Sequence, residues 1–355
     1  MENGVWCGMG WKTRLFDRHG LASSQATRQF IRQIERIQPD VIHIHNIHGY
    51  FLNYRILFEY LSKCNIPVVW TVHDCWLYTG HCYYYSYVNC NRWQSGCGEC
   101  PQRKEFPASL WIDRSRQNYL DKKEAFTSMP QDKLVIVPVS NWIKSEMQKS
   151  FFCGYNFQVI HNGINTEVFR VYDAQEVREK YGLGDKHVLL GVASIWSREK
   201  GLDDFIQMAA LLKKEELIVL VGIKPEERKR LPENIIGIAR TENIQQLAGL
   251  YSIADAFINP TWQDNYPTVN MEAIACGTPV VTYRTGGSVE AVTDETGFIV
   301  AQGNYKELLE AARMIRQRGK SYYQSRCREY ALMHFKKEDR YSDYIRLYDE
   351  LTKRG

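Results

Sequence analysis

The chain of 355 residues has no apolar run of bilayer length. Its longest, such as Leu-Ile-Val-Leu-Val at 217–221, fall far short of the roughly 20 residues that a spanning helix needs. The opening stretch MENGVWCGMGWKTRLF holds no apolar core of signal-peptide length, which points to the cytoplasm. A strong excess of one charge is missing too. A net charge of +4 gives no argument for nucleic acid and leaves only a weak pull toward anionic substrates or a lipid surface. Nor is there a dinucleotide fingerprint: "GLGDKH" (182–187) lacks the third glycine and precedes a strand-like run instead of following one.

What is present reads as a soluble globular protein, 44% apolar and 24% charged, and long enough for two cores. Ten cysteines would suit secretion, but without a signal they are expected as reduced thiols or as thiols on metal. Short β-branched runs recur with amphipathic stretches between them. The first half has four, at 40–46, 66–74, 133–140 and 157–164; the second has six, at 187–194, 217–223, 235–240, 255–260, 278–284 and 297–300. Near-continuous hydrophobic strands alternating with helices imply parallel sheets covered on both faces. The series occurs twice, so two doubly wound α/β domains facing across a cleft are expected. The predicted bounds are 1–165 and 166–336, with a closing helix over 337–355 packing back on the first domain.

Within "NPTWQDNYPTVNMEAIACGTPVV" (259–281), Asp264 and Glu272 stand eight positions apart around a strand-to-helix turn. Ligands of open α/β sheets bind beyond the carboxyl ends of the strands. Pro267 suits a helix start and Gly277 a helix stop. Amides around Tyr266, Thr268 and Val269 would then offer an anion site beside two carboxylates able to accept hydrogen bonds from hydroxyls. Nucleotide-sugars carry both kinds of group. The plainer alternative makes Asp264 a loop cap and Glu272 a solvated helix residue.

From Pro260 to Val300 the chain resembles the C-terminal signature of family-4 retaining glycosyltransferases of the GT-B fold. "VIHNGINTEVF" (159–169) resembles the interdomain segment of that family, and "EKGLDDFIQ" (199–207) its phosphate-lysine helix start. "HIHNIHGYFLN" (43–53), "WTVHDCWLYTGHC" (70–82) and "GCGECPQRKEFPASLW" (96–111) resemble the branch that builds colanic-acid-type and capsular polysaccharides in bacteria. The resemblance implies transfer, with retention, from a UDP- or GDP-linked sugar to a saccharide or lipid-linked oligosaccharide acceptor, with no cofactor required for the chemistry. It implies Glu272 on the ribose hydroxyls, Asp264 facing the sugar, and Lys200 on the donor diphosphate. The family's usual arginine is replaced by Ile195, and Arg198 is the nearest substitute. Gly286 and Gly287 allow close backbone approach to the donor, Glu290 is a further polar candidate, and His73 matches the family histidine that touches the transferred sugar. Asp264 stands where glutamate is usual, which favours charge stabilisation over nucleophilic attack.

Three features sit outside that core. Cys82, Cys90, Cys97 and Cys100 have the spacing C-x7-C-x6-C-x2-C, and a structural zinc site or buried thiols are both open readings. His43, His45 and His48 invite a metal reading, but no acidic partner completes it, and packing or acceptor-side contacts are expected. In "NWIKSEMQKSFF" (141–152), Trp142, Ile143, Met147 and Phe151 share a helical face that suits either an interfacial membrane contact or the core. Family members begin with a strand and a glycine-rich loop, whereas "GVWCGMGW" (4–11) has no strand before it. One or two strands of the first domain are therefore expected to be missing. Beside the transferase, a GT-B sugar-nucleotide epimerase and a non-catalytic nucleotide-binding remnant remain as alternatives.

Overall fold

A computed structural model describes residues 15–105 and 107–353. The glycines of 4–11, and with them the missing-strand expectation, lie outside the described residues. The chain divides into two compact units. The first holds the residues up to Ile160 together with those from Asp343 onward, and the second runs from His161 to Ser342.

In the first unit the order is α1 (Ser24–Ile37), β1 (Ile42–Ile44), α2 (Tyr54–Leu61), β2 (Val68–Val72), α3 (Ser115–Phe126), β3 (Leu134–Pro138), α4 (Asn141–Met147) and β4 (Asn156–Phe157). Each strand lies within one of the four apolar runs or at its margin. The strands pair in parallel in the order β1-β2-β3-β4. Every residue of β2 and β3 is buried, as a strand covered on both faces must be. One face packs on an aromatic core of Trp70, Phe58, Phe126 and Phe152. On the other, Val69, Val135, Val137 and Ile160 meet Leu347 and Leu351 of the closing helix. The side chains of Asn53 and Ser140 cap α2 and α4 by accepting the amides of Ile56 and Ile143.

Helix α4 settles the reading of 141–152. Ile143, Met147 and Phe152 are fully buried, and Trp142 and Phe151 pack against the same core. Of the two readings of that segment the core is the one observed, because its apolar stripe covers the sheet.

The second unit continues with α5 (Gln175–Lys180), β5 (His187–Val192), α6 (Leu202–Ala209), β6 (Glu216–Val221), α7 (Pro225–Arg228), β7 (Ile235–Ile238), α8 (Ile244–Ile253), β8 (Ala256–Asn259), α9 (Thr268–Ala275), β9 (Val280–Tyr283), β10 (Gly297–Val300), α10 (Tyr305–Arg318) and α11 (Lys320–His334). Helix α12 (Lys337–Thr352) contributes residues to both units. All pairings are again parallel, in the order β10-β9-β8-β5-β6-β7. The chain runs outward from β5 through β6 to β7, then returns to β8 on the other side of β5. This reversal makes the carboxyl ends of β5 and β8 a topological switch point, the place where open α/β sheets bind ligands. The expected α/β class with two Rossmann-like sheets is the fold observed.

Candidate functional site

Two loops leave that switch point. The first runs from the end of β5 through a 3-10 turn, Arg198–Lys200, into α6. The second runs from the end of β8 through Pro260 to α9. Gly201 lets them meet: its φ is 75°, and a Cβ there would lie 2.3 Å from the carbonyl oxygen of Pro260. Only glycine tolerates both the backbone angle and the approach. The amide of Trp262 then donates to the Glu199 carbonyl at 2.7 Å and stitches the loops together.

This brings two expected site residues into contact. Lys200 Nζ donates to Asp264 Oδ2 at 2.6 Å. The other carboxylate oxygen of Asp264 accepts the amide of Asn265 at 3.0 Å, and its carbonyl accepts the Gly287 amide at 3.2 Å. The glycine turn therefore sits against the acidic loop, with Gly286 at φ 50° in the left-handed region that favours glycine. Arg198 is exposed at the start of the lysine turn, and Ile195 is exposed beside it.

Helix α9 opens at Thr268, one residue after Pro267; the Asn270 amide donates to the Pro267 carbonyl at 3.2 Å, and the amides of Thr268 and Val269 have no partner one turn back within the helix. Glu272 lies one turn in, where Tyr251 donates its hydroxyl to Glu272 Oε2 at 3.0 Å. Burial pushes the Glu272 carboxyl above its ordinary range, and hydrogen bonds with Tyr251 and Thr268 pull it partly back. A half-buried carboxylate with acceptor capacity to spare suits hydroxyl donors on a ligand. Tyr266 is buried and its ring lies 4.8 Å from that of His161, whose Nε2 is 3.2 Å from Glu290 Oε2.

Sequence reasoning missed the support beneath this arrangement. Asn270 accepts from Asn259 at 2.8 Å and donates to the Ser288 carbonyl at 3.0 Å, while the hydroxyls of Thr282 and Ser288 are 2.8 Å apart. All four residues are buried. They tie β8, β9, α9 and the glycine turn into one polar network. An asparagine inside a helix is a poor helix former, and that was the signal available. His161 was also missed, although it lies in the quoted interdomain segment.

His73 belongs to the first unit, just past β2. Its Nε2 is 3.0 Å from Nδ1 of His45, and burial, with His45 adding, lowers its pKa. His43 bridges Thr71 (2.7 Å) and Tyr348 (2.5 Å), and burial brings its pKa down to about 4. His48 pairs with Asp74 at 3.0 Å and with the Tyr83 hydroxyl at 3.0 Å. These histidines are engaged with neighbours at the carboxyl edge of the sheet.

The four cysteines come together in the structure. Cys82, Cys90, Cys97 and Cys100 line one enclosed pocket. Among the described residues, however, no group of three or more His, Cys, Asp or Glu side chains is arranged to hold a metal ion. The thiols are used locally instead. Cys97 Sγ accepts the Gly80 amide at 3.1 Å, and burial pushes its thiol up to about 11. A hydrogen bond with Cys100, then burial, raises that of Cys82 well above the ordinary value. Cys100 goes the other way, its thiol drawn down to about 7 by the hydrogen bond with Cys82.

Two family models match the chain: Glycosyltransferase Family 4 over residues 8–168 and Glycosyl transferases group 1 over 186–317. Among curated relatives, the protein assigned as the colanic acid biosynthesis glycosyl transferase WcaC of Escherichia coli K12 is 24% identical over 281 residues. That match takes in 78% of this chain and 67% of the relative. The capsular polysaccharide biosynthesis glycosyltransferase CapM of Staphylococcus aureus is 27% identical over 161 residues, 42% of each chain. Among solved structures, a sucrose-phosphate synthase from Thermosynechococcus elongatus superposes with a TM-score of 0.71 at 18% identity, covering 94% of this chain and 79% of its own. Anabaena Alr3699/HepE in complex with UDP gives 0.66 at 15% identity, covering 91% and 82%. At those identities the two structures speak for the fold.

Proposed function

We propose that the chain, which matches the Glycosyltransferase Family 4 model over 8–168 and the Glycosyl transferases group 1 model over 186–317, transfers a sugar from a nucleoside-diphosphate sugar to a saccharide acceptor in bacterial surface-polysaccharide synthesis. The observation that carries the reading is the Lys200–Asp264 pair at the switch point of the second sheet. It sets a cation and a carboxylate beside the open amides of a helix start, which is what a diphosphate linked to a sugar needs.

In this reading the diphosphate takes Lys200 and the first-turn amides of α9, where charge grows as the sugar–phosphate bond breaks. Glu272 accepts hydrogen bonds from the ribose hydroxyls, and Asp264, released from Lys200, faces the sugar and balances positive charge developing there. Retention follows if the acceptor attacks the face that the diphosphate leaves, the departing phosphate taking the acceptor proton. His73 is the candidate contact to the transferred sugar from the first domain. A UDP- or GDP-linked donor and a lipid-linked acceptor complete the proposal.

A thermal-shift series with UDP, GDP and ADP tests the donor site, because a ligand bound only by the folded state raises Tm by mass action. One clear winner is expected. No shift with any nucleoside diphosphate would sink the reading, and an epimerised sugar among the products of a nucleotide-sugar incubated without acceptor would assign an epimerase instead.

A further inference from the structure

Helix α4 spends its apolar stripe on the core, but another segment of the first unit does the opposite. Leu110, Trp111 and Ile112 are consecutive, and they are 60%, 70% and 44% exposed. Exposed apolar residues scattered singly need no explanation, but a contiguous set does. The loop that carries them is held firmly. The hydroxyl of Ser109 donates to the Ile112 carbonyl at 2.5 Å, closing a ring beneath the three side chains. The Ser109 amide donates to the Arg103 carbonyl at 2.8 Å. On the far side, Asp113 accepts the amides of Cys100 and Ser115 at 2.6 and 2.9 Å. Ser109 itself is buried. The backbone is thus pinned on both sides of an apolar tip.

Charge around the tip is lopsided. Lys104 and Arg116 are exposed and Arg103 is half-buried, against two exposed acids, Glu105 and Glu99, the second of which lies 3.8 Å from Arg92. Asp113 is turned onto backbone amides, and Arg114 is taken up by Asn118 and Asp121.

We propose that the loop at 109–113 is a membrane-docking tip, which sinks Leu110, Trp111 and Ile112 into the interfacial zone of a bilayer bearing anionic headgroups. Three side chains are too small a surface for a protein partner, since a stable interface buries about 800 Å² on each side. Interfacial insertion needs only a few apolar groups sunk about 5–10 Å, with basic residues at the headgroup level. Tryptophan suits that depth, with its apolar ring and polar N–H. Holding the first domain at a bilayer would bring it to a lipid-linked acceptor; that purpose rests on the proposed function, whereas the docking rests on the loop.

Co-sedimentation of the full chain with vesicles tests this. Binding is expected to an equal mixture of phosphatidylglycerol and phosphatidylcholine, weakening with salt because the basic flank is exposed. The variant Leu110→Ser/Trp111→Ser/Ile112→Ser should partition at least about tenfold more weakly, while keeping the nucleotide-induced thermal shift that reports a folded second unit. Lys104→Glu/Arg116→Glu should lower binding to the mixed vesicles and leave binding to pure phosphatidylcholine unchanged. Equal partition of wild type and triple variant would overturn the proposal. So would a wild type that ignores vesicles, or a triple variant altered only in its self-association, which would give the tip to a second copy of the chain. A chain that binds vesicles but no nucleotide would sink the donor site and leave the docking tip standing.

Discussion

Replacing Lys200 or Asp264 should act on nucleotide binding in opposite directions. The two side chains meet at 2.6 Å, but Lys200 is 39% exposed and Asp264 14%. An ion pair that wet contributes no more than about 1 kcal/mol. A diphosphate that recruits the Lys200 ammonium must first draw it from Asp264, and must then sit near that carboxylate. Asp264→Asn removes both penalties, so UDP or GDP should bind as well or up to about fivefold more tightly. Lys200→Ala removes a charge-assisted hydrogen bond of about 1.5–3 kcal/mol, less the cost of breaking the ion pair, and should weaken binding by roughly 3–30-fold. In the Asp264→Asn background the same lysine change should cost about 1 kcal/mol more, because there the ammonium leaves no partner behind. Isothermal titration of the four proteins with UDP and GDP measures this cycle, and chromatographic assay of sugar transfer supplies rates. Transfer by Asp264→Asn should fall steeply although its product binds better. A loss of diphosphate affinity in Asp264→Asn matching its loss of rate would refute the reasoning, as would unchanged affinity in Lys200→Ala.

Glu272→Ala should weaken nucleoside-diphosphate binding by about 1–3 kcal/mol through lost hydroxyl acceptors, read by the same titration. Gly201→Ala should lower stability by roughly 2–4 kcal/mol, since it combines a left-handed angle with a Cβ set against the Pro260 backbone; a denaturant melt within about 0.5 kcal/mol of wild type would count against that packing. Acid should destabilise the first unit. Burial brings His43 from 6.5 to about 4, so the unfolded chain binds more protons between those values, and stability present above pH 6.5 is lost as pH falls toward 4. His43→Asn should flatten that part of a Tm-against-pH curve.

Periodicity located the strands because buried parallel strands are apolar along nearly their whole length, as Val68–Val72 and Glu216–Val221 demonstrate with Thr71 and Glu216 as their lone polar residues. Strand order was another matter. Nothing in six apolar runs says that β8 returns beside β5, because order depends on how the crossovers pack and not on hydrophobicity. The loops at the switch point were legible through residues whose backbone role is local, Pro267 and Gly286 among them. The Lys200–Asp264 contact was not legible, since it joins residues 64 positions apart through a glycine at 201. Cysteine spacing left two readings open for a related reason: it tells which thiols are near in the chain, but not that Gly80 would take Cys97 or that burial would push that thiol up.

The aspartate at 264 also bears on how the reaction is to be understood. A carboxylate that attacks an anomeric carbon must be able to bring an oxygen within bonding reach. Here one oxygen holds the Asn265 amide and the other the Lys200 ammonium, so the short side chain is fixed from both ends. Diphosphate binding would free only the second, and would leave the carboxylate anchored to its own loop. Such a group is placed to balance charge at a distance. Asp264→Glu discriminates between the two roles: the longer side chain should lower the transfer rate if position against a developing charge matters, and should raise it if bonding reach was the limitation. A glycosyl-enzyme adduct trapped on residue 264 in either protein, detected by intact-protein mass, would overturn the charge-balancing role.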